Sequence, residues 1–463
     1  MLGMRLGELL DGAPAGVDEA LDLVAGFDDA LVHGFARLGE ERAAALAALA
    51  GAMAATPLGE RLGEAAEKVI AGSVSDEHLA ALAGGRSALF GAVHDALLAR
   101  LDAALGRSRA AWEAPAAAPE EVAGNLLAGC RGWLRELAIA GWRGVDHDLV
   151  SAADRTLDAS QAIPELRGLS VLLDGLAAEL RASCPVATME RLPVRRWADL
   201  WARGVLLSRA GAWNGGAEPV SGRLLILGTD VHEHSTVVRA QVHGILESSG
   251  GSPSRLVRLS VAAAKVDTIT GPAVWRLMSG FPVLLAALAE HRSLEITDMP
   301  LLAGGDLVWQ EERARAGEVA DPFATARVML GEALAPAVPP LDRHPVRVAE
   351  PVLVEGYTTT DGRAFELGGN TLAVDVDRLP ACGPLTPELV AASSSCVGLM
   401  RWDGGRWLLR PLAVVATVKR KPVAAHNGDW AMGPTDPKVV KAEARAGDVV
   451  AVLRERAGRL LRR

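Results

Sequence analysis

RLLILGTDVHEHSTVVRAQVHGIL, residues 223–246, is where this chain changes character. Arg223–Gly228 (RLLILG) and Thr236–Leu246 (TVVRAQVHGIL) are rich in branched residues and partly alternate apolar with polar, which suits half-buried strands. Leu256–Val266 offers a third strand of the same kind.

Upstream, the pattern is helical. Val17, Leu21, Val24, Leu31, Phe35 and Leu38 recur at three, four and seven and draw one apolar stripe. Helix starts are marked by Thr56-Pro57, Ser75-Asp76-Glu77, Pro119-Glu120-Glu121 and Pro164-Glu165, where caps, prolines and carboxylates gather at N-termini. Ala114–Pro119 reads as a linker, and no repeat of fixed period is visible.

Downstream, the chain turns mixed from about Asn214-Gly215-Gly216. Pro272 opens a helical stretch reaching His291, broken at Gly280-Phe281-Pro282, and Asp321-Pro322 starts another helix. Past a boundary at Pro336–Pro340, two hairpins are expected. Val352–Tyr357 and Arg363–Leu367 flank Thr360-Asp361-Gly362, while Val397–Trp402 and Arg406–Val418 flank Asp403-Gly404-Gly405, which makes Trp402 and Trp407 neighbours. Asp436-Pro437 caps a helix over Pro437–Arg463, whose stripe of Val440, Val449, Val452, Leu453 and Leu460 should dock on the β half; Arg454, Arg456, Arg459, Arg462 and Arg463 are expected in solvent. The fold expected is α+β: an α-helical domain over 1–210, a mixed α/β domain over 215–335, and a hairpin-rich domain with a C-terminal helix over 341–463.

Half of the 463 residues are hydrophobic and only 4% are aromatic, 11 of them Trp, so Leu, Val and Ala must fill the cores. The net charge of −9 argues against a nucleic-acid-coated protein. Residues 410–463 hold 12 Lys+Arg against 5 Asp+Glu, which leaves −16 on residues 1–409. Cys130, Cys184, Cys382 and Cys396 form no CxxC pair and suit four buried thiols in a reducing compartment. With no signal peptide or spanning stretch in view, a cytoplasmic location without a membrane partner is expected.

Candidate chemistry concentrates in the opening stretch. On a strand, Asp230, His232 and His234 share one face, and with His243 they supply imidazole and carboxylate ligands for one divalent metal ion. A metal-dependent hydrolase with this His/Asp site near 230–243 is the alternative function; the spacing is not HExxH. The bland reading is a solvated strand end. Asp146-His147-Asp148 reads as a capping loop, and Ser393-Ser394-Ser395-Cys396 as small residues before a strand. Lys419-Arg420-Lys421, near His426, Asn427 and Trp430, suggests a single-strand nucleic-acid surface or a basic strand edge. No phosphate-binding loop is present.

Arg191–Ser208 (RLPVRRWADLWARGVLLS) places Trp197, Leu200, Trp201, Val205 and Ser208 on one helical face, with Arg195, Arg196 and Arg203 elsewhere. Trp and Arg are enriched at protein interfaces, so Trp197, Trp201, Arg195 and Arg196 are candidate interface residues, against a core helix as the plain alternative. This RRWADLWARGVLLS segment (195–208), followed by RLLILG, resembles uncharacterised actinobacterial proteins encoded beside MoxR-type AAA+ ATPases, von Willebrand factor A proteins and SWIM zinc-finger proteins. The resemblance covers about a tenth of the chain and carries no catalytic residues. It implies an accessory or adaptor subunit in an ATPase-driven assembly. The functional expectation is a non-catalytic interaction or adaptor protein that needs no cofactor and whose partners are other proteins.

Overall fold

The computed structural model describes residues 7–113, 124–209 and 217–460, without the side chains of Ala446, Arg454 and residues 456–460. The linker Ala114–Pro119, the helix start at Pro119, Asn214-Gly215-Gly216, Arg462 and Arg463 lie outside the described residues, as do the side chains of Arg454, Arg456, Arg459 and Leu460.

The helical unit contains α1 Val17–His33, α2 Glu40–Ala52, α3 Gly59–Ile70, α4 Asp76–Leu105, α5 Gly124–Ala140, α6 His147–Ser151, α7 Asp154–Gln161, α8 Arg167–Ser183 and α9 Val194–Leu207. On α1, the expected stripe turns Val17, Val24 and Leu31 inward, with Phe27 beside them. Ser75 caps α4 by accepting a hydrogen bond from the His78 N–H. This 30-residue helix serves two cores. Leu79, Leu82 and Phe90 pack in the helical unit, whereas Val93, Leu97, Leu98 and Leu101 join the β core around Phe365 and Trp407.

Two barrels follow. In barrel one, β1 Glu218–Glu233, β2 Val237–Ser248, β3 Arg255–Ala264, β4 Arg292–Leu301, β5 Asp306–Leu307 and β6 Ala314–Val319 lie in the order β1-β2-β3-β5-β4-β6. β4 also pairs with β1, which closes the ring, and β3 and β5 run parallel. Helices α10 Ala273–Leu277 and α11 Pro282–Ala289 fill the connection from β3 to β4. After β6 comes α12 Pro322–Met329, capped by Asp321 as expected.

Barrel two repeats the plan. Its strands are β7 Ala349–Glu355, β8 Ala364–Leu367, β9 Asn370–Val374, β10 Ser393–Asp403, β11 Arg406–Val418 and β12 Lys421–His426, in the order β7-β10-β11-β9-β8. Thr358, beyond β7, bridges to Glu366 of β8 and completes the ring. The parallel pair is β9 with β11, and α13 Pro387–Ala391 lies between β9 and β10. Counted from its own first strand, each ring reads 1-2-3-5-4-1, with strands 3 and 5 parallel and a helix between strands 3 and 4. That is the order of an OB-type barrel.

The β10–β11 hairpin forms as expected, with Trp402 opposite Trp407 and their rings edge-on at 5.3 Å. The hairpin expected between Val352–Tyr357 and Arg363–Leu367 does not form as a ladder. β7 pairs with β10, and β8 pairs with β9 across Gly368-Gly369. Alternation and an Asp-Gly turn mark strands and a reversal, but in a ring the neighbour is chosen by closure.

The single helix expected over Pro437–Arg463 is broken into α14 Pro437–Ala446 and α15 Val449–Leu460. Gly447 takes φ 76°, and the Asp448 carboxylate caps α15 by accepting from the Val450 and Ala451 N–H groups. These helices dock on the core of barrel one through Val439, Val449, Val450 and Leu453, while Val440 and Val452 stay exposed. Among the described residues, no helix is long and apolar enough to cross a membrane.

Candidate functional site

The barrels meet along a seam built from the outer faces of β1, β2 and β3 on one side and β10 and β11 on the other. Leu227, Ile245 and Leu256 of barrel one pack there with Val397 and Ala413 of barrel two and with Phe323, Ala326 and Leu330 of α12. The approach is close: a Cβ on Gly228 would lie 2.7 Å from the Leu412 Cβ.

Of the three candidate ligands expected to share a face, Asp230 and His232 do so, at this seam, and the β1–β2 register brings His243 to the same face. Asp230 pairs with Gln241, His232 with Arg239, and Gly228 with His243, so Asp230, His232 and His243 all point outward from barrel one. His234 lies exposed in the turn to β2. The expected metal site is corrected by what Asp230 touches. Its carboxylate, 1% exposed, accepts from the Arg410 guanidinium at 3.0 and 3.3 Å, lies 3.0 Å from the His232 Nε2, and has Arg401 at 3.8 Å. Burial alone would push this carboxyl up; the His232 hydrogen bond and the Arg410 charge outweigh it and hold the group well below the ordinary carboxylate range. A carboxylate committed to a buried arginine is a structural ion pair. Arg410 also reaches Asp375 at 3.2 Å. Burial, with help from Arg258, pushes His243 down to about 4, and its Nε2 has no hydrogen-bond partner among the described residues.

A second charged group joins the helical unit to barrel two. Arg107 and Arg109, just past α4, hold Glu350 at 2.9 and 3.3 Å. Asn427 donates to the carbonyls of Thr229 and Pro411, both at 3.2 Å, and so stitches the two barrels together.

The cluster whose ligand atoms do converge, among the described residues, is His291, His426 and Asp429, all within 4.8 Å of one another. His291 ends the turn from α11 into β4 with φ 51°, a left-handed conformation uncommon outside glycine. Its Nε2 lies 2.7 Å from the Asp429 Oδ1. The other Asp429 oxygen accepts from the His426 N–H at 3.0 Å. The two imidazoles lie 4.2 Å apart, and Phe323 meets His426 edge-on. Beside them is a cavity of about 20 Å³ lined by Ile226, Gly228, Leu288, Pro322 and both histidines. The hydrogen bond from Asp429 raises the His291 pKa, whereas burial lowers His426 to about 4. Reading the sequence missed this cluster because His291 and Asp429 are 138 positions apart. The local signal was the H-x-x-D spacing of His426, which ends β12, and Asp429 in the turn after it.

The candidate interface helix is corrected as well. Trp197 and Trp201 are 1% and 0% exposed in the helical core, and the Trp201 indole donates to the Leu134 carbonyl. Arg196 bonds Glu179, and the Arg195 guanidinium sits over Phe90 at 5.4 Å. Asp146 caps α6, the expected bland role. Lys419 and Arg420, both at positive φ, form the turn between β11 and β12, and Lys421 begins that edge strand. All four cysteines are free; Cys130, Cys382 and Cys396 are buried and Cys184 is half-buried.

No protein family, curated protein or solved structure matches the chain.

Proposed function

We propose that this chain is a non-catalytic adaptor whose two barrels and helical unit form one platform for other proteins. The observation that carries this reading is the seam, where buried ion pairs and a shared apolar core fix OB-type barrels against each other. In such barrels the face of strands 2 and 3 is the usual ligand surface. In barrel one the seam covers one end of that face, at Ile245 and Leu256, and leaves Arg239, Ser260 and Ala262 exposed. In barrel two the face is β8–β9, where Glu366 and Thr371 are exposed and Arg363 is paired with Asp377. Nucleic acid needs basic and stacking side chains, so this surface suits a protein partner. The narrower role, accessory to an AAA+ ATPase assembly, rests on the resemblance of residues 195–208.

The test is purification from the native source at low salt, with native mass and identification of bound chains. Recovery with an AAA+ ATPase supports the narrower role. Loss of the complex on E366K/T371K, with unchanged thermal stability, supports the β8–β9 face. Recovery as a lone monomer overturns the reading.

A further inference from the structure

We propose that His291, His426 and Asp429 bind a divalent transition metal of the zinc class, which clasps barrel one to the end of barrel two. The donor set is two imidazoles and one carboxylate, which suits zinc and its neighbours; calcium and magnesium prefer all-oxygen shells. Zinc bonds of about 2.1 Å set donors roughly 3.4 Å apart around one ion. The three donors already lie within 4.8 Å of one another, so sub-ångström to ångström side-chain movements suffice.

His426 points to a ligand independently of that proximity. It is 6% exposed and lines the cavity. Asp429 supplies the negative charge and is oriented through its second oxygen by the His426 N–H, the kind of outer bond that fixes ligand carboxylates. The adjoining 20 Å³ is room for one water, which would complete a tetrahedral shell. His291 comes from the α11–β4 turn of barrel one, and His426 and Asp429 follow barrel two, so the ion would join the two. The site stands apart from the adaptor role and does not depend on it.

The experiment uses the full chain, stripped of metal by chelator and dialysis, titrated with Zn²⁺ and separately with Co²⁺. One equivalent of Zn²⁺ should bind with micromolar or tighter Kd, Tm should rise with zinc concentration by mass action, and Co²⁺ should develop visible d–d absorption. H291A and H426A should each weaken zinc binding at least tenfold, and H232A should leave it unchanged. His291 is half-buried, so H291A keeps the test valid if H426A does not fold. No saturable Zn²⁺ binding below 100 micromolar, no Co²⁺ spectrum, binding unaffected by H291A, or binding lost in H232A would each overturn the proposal.

Discussion

Barrel one and barrel two share a strand order but place their length in opposite strands. In barrel one the first strand runs 16 residues and the fifth only 2; in barrel two the first runs 7 and the fifth 13. The long strands are those that enter the seam. There they are buried on both faces, as in the unbroken runs 224–231 of β1 and 409–414 of β11, so their apolar/polar alternation disappears. The short strands β8 and β9 face solvent on one side and keep it. The barrels therefore differ in which strands the partner covers, and the seam is the place to break the comparison.

The largest effect is expected from R410A. It strips the buried Asp230 and Asp375 of their shared guanidinium, and breaking a buried pair from one side costs about 3–5 kcal/mol. Urea unfolding would read it; a loss under about 1 kcal/mol would mean that His232 and Arg401 suffice. R410M/D230L should recover part of the loss, since it removes the Asp230 charge while Asp375 keeps only Arg378 at 3.9 Å.

Acid should act on the seam from barrel one's side, because β10 and β11 contain no histidine. His243 falls from 6.5 to about 4 in the folded chain, so between those pH values the unfolded chain holds the extra proton. The His243 share of stability should be complete above pH 6.5 and decline as pH falls toward 4, by up to about 3 kcal/mol at 1.36 kcal/mol per pKa unit, and His426, also lowered to about 4, adds to the loss in the same window. Asp230, held low by His232 and Arg410, and Glu350, held low by Arg109 and Arg107, add their losses only below the ordinary carboxylate range. Unfolding curves of the native chain and H243L across this window should converge in slope difference on that amount; identical slopes would remove His243 from the account.

Packing comes next. G228V drives a branched side chain into Leu412 across the seam and should cost about 1–3 kcal/mol by overpacking. L412A in the same chain should relieve part of it, and strict additivity would show that the contact is not the cause. The smallest effect concerns the helix between strands 3 and 4. In barrel two Thr386 caps α13 by accepting from the Leu389 N–H, whereas Phe281 before α11 of barrel one offers no cap and the Val283 N–H is met by the Glu311 carboxylate. T386A should lower stability by about 0.5–1 kcal/mol, checked by the Tm.

Much of this was legible in local sequence. The strands at 223–228, 236–246 and 256–266, the Asp321-Pro322 helix start, the Trp402/Trp407 hairpin and the capping role of Asp146 follow from periodicity, caps and turns, which act within a few residues. The shared face of Asp230, His232 and His243 was readable in part: alternation put Asp230 and His232 together, and the β1–β2 register brought in His243. Trp197 and Trp201 were ambiguous, because an amphipathic stripe looks the same whether it meets a core or a partner. The repeat of barrel order left no sequence period, since the two rings differ in strand and loop length while closing in the same order.

The sequence by itself determined the helical half, the strands, the caps and the overall sign of charge, because these depend on side-chain type and on spacing along one element. Only the tertiary structure decided which strand lies beside which, that Asp230 meets Arg410, and that His291 meets His426 and Asp429. Those outcomes rest on pairings between residues more than a hundred positions apart. Ring closure and burial select them, and neither leaves a mark in local pattern.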